Sequence, residues 1–142
     1  MIRSTTSEPL NLAEVKVFNG QTQLARSSLT FTLSSTLGSY VAGICNDGDL
    51  TNFCHTENIS IDQVRSLTIG TGFQNFDRIV VYNRNGYLGR IVGGTIKVIG
   101  LMGTVYNSWT FDTEASTYTF TVGTTVNHCQ LTTYYLLALV LR

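Results

Sequence analysis

The chain has 142 residues, nine basic and nine acidic side chains, and a formal net charge of zero. That length fits one domain whose core needs no metal or disulfide staple, and zero net charge excludes a basic field that holds nucleic acid or anionic lipid by charge alone. With 43% hydrophobic residues, 13% charged, a single proline and 32 serines and threonines, the composition suits strands rather than exposed helices or a disordered polyelectrolyte.

The first nine residues, Met1 to Pro9, hold no apolar run of signal-peptide length. They read as a flexible arm made in the cytosol. Leu12 to Phe18 alternates with period two and meets Asn19-Gly20, a hairpin-turn pair. Leu29 to Leu33 alternates in the same way. Ile61 to Leu67 permits at most one short helical turn, while Val64 to Ile69 carries a weaker strand pattern. Phe76 to Tyr82 is a more continuous apolar strand, followed by a loop at Asn83–Gly86. Arg90-Ile91-Val92 runs through Gly93-Gly94 into Thr95–Ile99. Thr104 to Phe111 and Thr117 to Val122 add two alternating runs. Tyr134 to Leu141 closes the chain as a buried last strand, because eight residues cannot span a bilayer as a helix. About eight closely spaced strands with turns between them predict one all-β domain over residues 1–142, an antiparallel sandwich or barrel.

The three cysteines are Cys45, Cys54 and Cys129. A Cys45–Cys54 disulfide and three reduced thiols are both open from the sequence. Asn46-Asp47-Gly48-Asp49 offers a carbonyl and two carboxylates in a tight loop, a donor set suited to Ca²⁺; Asp-Gly is equally a turn. Asn58-Ile59-Ser60 is a glycosylation sequon. His55 and His128 are the only histidines. Nothing groups a nucleophile, a base and an orienting residue, so a non-enzyme is expected.

Four segments carry a family resemblance. Leu10 to Phe18 resembles the opening strand "nLaEvevy" of discoidin or coagulation-factor C-type domains. Cys45 to Thr56 resembles their "A-x-DG-n … f-cHT" stretch. Ser66-Leu67-Thr68-Ile69 stands at their "w-x-vDLG" strand, without the Trp and Asp. Ile79 to Arg84 with Arg90 to Val98 resembles "I-x-I-yNR … RivGaxIxV". Order and spacing agree from residue 10 to about 100, most closely with the F-type (fucose-binding) lectins. The resemblance implies a galactose-binding-like jelly roll with a structural Ca²⁺ near the Asn46–Asp49 loop. It also implies a glycan site made by His55, Arg84 and Arg90, with Tyr87, Tyr82 or Phe53 against the sugar's C–H face. Two positions differ from the lectin pattern: Gly86 replaces its Asp, and Arg90 follows Arg84 by six residues instead of seven. The alternative for both arginines is a scaffold role, tying loops to backbone carbonyls.

Two functions follow as expectations. In the first, the chain is a non-catalytic assembly or adhesion module, such as a virion decoration, minor capsid or fibre protein. It is displayed on a particle surface and partnered by other protein chains, since scarce charges suit surfaces that neighbours cover. In the second, it is a glycan-binding module, or a fragment of an extracellular protein with that role, gaining strength through multivalency. Neither involves nucleic acid or direct insertion into a membrane.

Overall fold

The computed structural model describes residues 8–58, 63–72, 74–100 and 102–123, and the backbone of a final strand at 136–141. Cys129, His128 and Ser60 lie outside the described residues. Among the described residues, ten strands form two antiparallel sheets: β1 (Asn11–Asn19), β2 (Thr22–Gln23), β3 (Thr30–Leu33), β4 (Cys54–His55), β5 (Arg65–Gly70), β6 (Arg78–Asn83), β7 (Thr95–Ile99), β8 (Val105–Thr110), β9 (Thr117–Thr121) and β10 (Leu136–Leu141). One sheet runs β2-β1-β6-β9, with β4 also paired to β1; the other runs β3-β5-β10-β7-β8. The expected all-β sandwich is the observed architecture.

Alternation explains why these segments pair as they do. In β1, Val15 and Val17 face inward and meet Val81 and Ile79 of β6 in register. Leu67 and Ile69 of β5 and Ile96 and Val98 of β7 supply the facing layer. A one-residue slip would turn each set toward water. Phe111, just after β8, closes the core at one end. Its ring meets Tyr118 and Phe120 edge-on, with centroids 4.7 and 5.3 Å apart, an arrangement favoured by the ring quadrupoles.

Several local expectations need correction. At the β1–β2 turn only Gly20 takes positive φ (58°), while Asn19 remains in the strand and pairs with Thr22. Arg90 and Ile91 belong to a 3-10 turn, Leu88–Ile91, and not to a strand. Their β-branched neighbours read as extended, but Val92 N–H donates to Gly89 O and closes the turn. Residues 65–67 are strand, so the short helical turn expected there does not extend into them. Glu8 and Pro9, expected within a flexible arm, are packed against the domain. Pro9 is buried, its carbonyl accepts from Asn11 Nδ2 at 3.2 Å, and Glu8 is held in an ion pair described below.

Candidate functional site

β4 mounts the histidine. His55 pairs with Asn11 of β1. On its other side its N–H donates to Tyr40 O, and its carbonyl accepts from Leu37 N. The 37–40 segment is therefore clamped to β4, which brings Tyr40 over Phe53. Cys45 and Cys54 form a disulfide with Cα atoms 5.3 Å apart, so the bridge left open by the sequence is made. It ties the 3-10 turn Ala42–Asn46 to the residue between Phe53 and His55. In the chain-entropy picture, closing so short a loop restricts the unfolded state by about 2–3 kcal/mol. The Cys45→Ser/Cys54→Ser variant is expected to lose about that much stability in urea denaturation. A loss below 0.5 kcal/mol, about the size of an ordinary surface change, would count against the bridge as a folding constraint.

The arginines come from the loop after β6, and Asn83 shapes that loop. Its Nδ2 donates to Leu88 O at 3.0 Å and to Ala115 O at 3.1 Å, while its Oδ1 accepts from Arg84 N at 2.9 Å. Gly86 turns the chain at φ 82°, a conformation that costs a side-chain-bearing residue about 1 kcal/mol. That is a local reason for glycine where the lectin pattern has Asp. The 3-10 turn then buries Ile91 and leaves Arg90 half-buried beside Tyr87.

These elements bring rings and guanidinium groups into one column. Tyr40 stacks on Phe53 with centroids 4.7 Å apart and planes at 11°. Arg84 lies 3.6 Å from the Phe53 centroid and 4.2 Å from that of Tyr87. Arg90 lies 4.2 Å from the same tyrosine ring, and its Nε pairs with Glu8 Oε2 at 2.9 Å. His55 borders the column, 6.1 Å from Tyr40 and 6.0 Å from Phe53. Thus His55, Arg84, Arg90 and Tyr87 do meet, as does Phe53. Tyr82 does not: it sits under Lys16 Nζ, 5.1 Å away. Tyr40 and Glu8 escaped the sequence reading, since nothing local marks an aromatic in Gly-Ser-Tyr or an acid in an N-terminal arm.

The scaffold alternative for Arg84 expects its guanidinium to donate to loop carbonyls. Among the described residues it makes no such bond; the ring faces hold it, and the loop-tying bonds belong to Asn83. Held between rings, a guanidinium keeps its N–H edge for an acceptor. His55 is complementary. Its Nδ1 contacts Thr56 O, and a carbonyl can only accept, so Nδ1 carries the proton and Nε2 is the acceptor.

Burial, and then the positive charges of Arg84 and Arg90, push the His55 pKa down, opposed by the Thr56 hydrogen bond. The folded protein therefore holds the ring neutral, and the unfolded chain binds the extra proton. Stability contributed by His55 is present above the unfolded pKa of about 6.5 and is lost as pH falls toward the folded pKa. Wild type should lose stability relative to His55→Gln between pH 7 and 5. A pH-independent difference in urea midpoints would contradict this.

The Asn46–Asp49 loop spends most of its oxygens on its own turn. Asp47 Oδ1 and Oδ2 accept from Asp49 N at 2.8 Å and Asn52 Nδ2 at 2.7 Å. Asp49 Oδ1 accepts from both the N–H and hydroxyl of Thr51. Asn46 O accepts from the Arg26 guanidinium at 3.2 Å. Among the described residues, no three His, Cys, Asp or Glu side chains gather in one place. Buried Glu14 lies under the loop, with Oε2 accepting from Gly48 N. Its burial raises its pKa and so favours the neutral carboxyl. The Asp47 and Asp49 oxygens cap their own turn, and the Arg26 guanidinium stands on the Asn46 carbonyl. EDTA is expected to leave the melting temperature unchanged; a drop of several degrees, reversed by Ca²⁺, would contradict this.

Compared with protein-family models, curated proteins and solved structures, the chain matches none of them.

Proposed function

We propose that this chain is a non-catalytic glycan-binding module whose site is the His55–Arg84–Arg90 cluster at one end of the sandwich. The observation that carries this reading is the convergence of two guanidinium groups and a neutral imidazole acceptor with exposed aromatic rings. Sugar hydroxyls take charge-assisted bonds from guanidinium edges and donate to Nε2, while a C–H face packs on Tyr87 or Tyr40. The resemblance to F-type lectins supports the same residues. A single shallow site of this kind binds weakly, and multivalent display strengthens it. A glycan array probed with wild type and His55→Ala tests the reading. Binding by wild type that His55→Ala loses supports it; a flat wild-type array removes it.

A second reading keeps the module in an assembly, such as a virion or similar particle. The observation favouring it is an exposed apolar edge. Met102 is 87% exposed and Val105 49% exposed on the approach to and start of β8, and β8 ends its sheet. Unprotected edges of this kind pair with other chains. Sedimentation of wild type and Met102→Lys/Val105→Lys tests it: an oligomer that the variant dissociates supports it, and a wild-type monomer at high concentration opposes it.

A further inference from the structure

We infer that the sugar this site takes carries a carboxylate, seated on the Arg84 guanidinium beside a hydroxyl that donates to His55 Nε2. The inference rests on the glycan-binding reading and deepens it.

The charges at the site do not balance. Arg90 has a carboxylate partner in Glu8 at 2.9 Å. Arg84 stands on the same tyrosine ring, and among the described residues it has no carboxylate within 4 Å. Glu114 lies against Gly89, where its Oε1 would be 2.7 Å from an added Cβ. The positive charge of Arg84 also reaches His55. Arg84 and Arg90 both act on that ring, and of the two only Arg90 has a carboxylate partner among the described residues. A neutral sugar leaves this excess in place; a carboxylate neutralises it.

Geometry suits a two-oxygen anion such as a carboxylate. The guanidinium is planar, and the Phe53 and Tyr87 rings hold it at 3.6 and 4.2 Å. What remains to donate is its N–H edge, a rigid fork that matches the two oxygens of a carboxylate. Glu8 shows the same chemistry one residue along the column, where a carboxylate of the chain itself meets the guanidinium of Arg90. His55 adds a second requirement. With Nδ1 on Thr56 O, the Nε2 lone pair of the neutral ring repels a bare anion and favours one with a neighbouring hydroxyl. Uronic and sialic acids have both groups; simple carboxylates lack the hydroxyl.

Paired probes test this on the intact chain. Isothermal titration is run with methyl galacturonide against methyl galactoside, methyl glucuronide against methyl glucoside, and methyl sialoside against its methyl ester. The acid of at least one pair is expected to bind about tenfold or more tightly than its neutral partner in 50 mM NaCl. That preference should shrink in 500 mM NaCl as screening grows, and disappear in Arg84→Gln. Glu8→Gln, which removes a competing negative charge, should strengthen acid binding severalfold and leave neutral binding unchanged. If neutral probes bind as well as their acids and Arg84→Gln abolishes both, the glycan reading stands and this inference is overturned. If no probe binds, both fall.

Discussion

Arg84→Ala is expected to weaken glycan binding by at least a factor of about one hundred, since a guanidinium loses two charge-assisted hydrogen bonds worth roughly 1.5–3 kcal/mol each. Stability should change little. The guanidinium contributes contacts to Phe53 and Tyr87 at a partly exposed position, worth about 0.5–1 kcal/mol there. Binding and folding therefore separate in this variant, and calorimetric titration beside thermal melting reads both. Arg84→Lys sharpens the test. It keeps the charge but loses the planar fork and the fit between two rings, so it should resemble alanine more than wild type. Full binding by Arg84→Ala would move the site elsewhere on the molecule.

The largest stability effect is expected from Phe111→Ala, about 3–5 kcal/mol, a large part of the 5–15 kcal/mol that holds an ordinary domain folded. Phe111 is 1% exposed, and its ring fills the space between Tyr118 and Phe120. Its backbone matters to the site as well: Gly93 N donates to Phe111 O, and Phe111 N donates to Gly94 O. Those bonds anchor the end of the loop that carries Arg84, Tyr87 and Arg90. Truncating the ring leaves a cavity beneath that loop, so binding should fall with stability. Phe111→Leu refills most of the volume and should cost far less. A Phe111→Ala variant within 1 kcal/mol of wild type in urea would mean that the aromatic cluster does not hold this end of the sandwich.

The long strands were legible because each has enough residues to display a period of two. β1, β3, β6 and β9 lie within a few residues of their expected bounds. The two-residue strands β2 and β4 were not legible, since two residues have no periodicity; partners create them. β4 exists because Cys54 and His55 meet Leu12 and Asn11. Arg90-Ile91-Val92 reads with the strand that follows because Ile and Val favour strands; the 3-10 turn there is closed by Val92 N–H on Gly89 O, and Asn83 Nδ2 donates to Leu88 O.

For the site, the sequence by itself named His55, Arg84, Arg90 and Tyr87 through their chemistry and their resemblance to a lectin pattern. It could not bring them together, because Arg84 lies 29 positions after His55 and contact across that interval is a property of the folded sheet. Only the tertiary structure set Tyr40 on Phe53, held Arg84 between two rings and brought Glu8 onto Arg90. It also turned the oxygens of Asp47 and Asp49 to turn capping. Local alternation specifies which residues face inward; which loops share one end of the sandwich depends on strand order, and strand order is decided by the packing of the whole core.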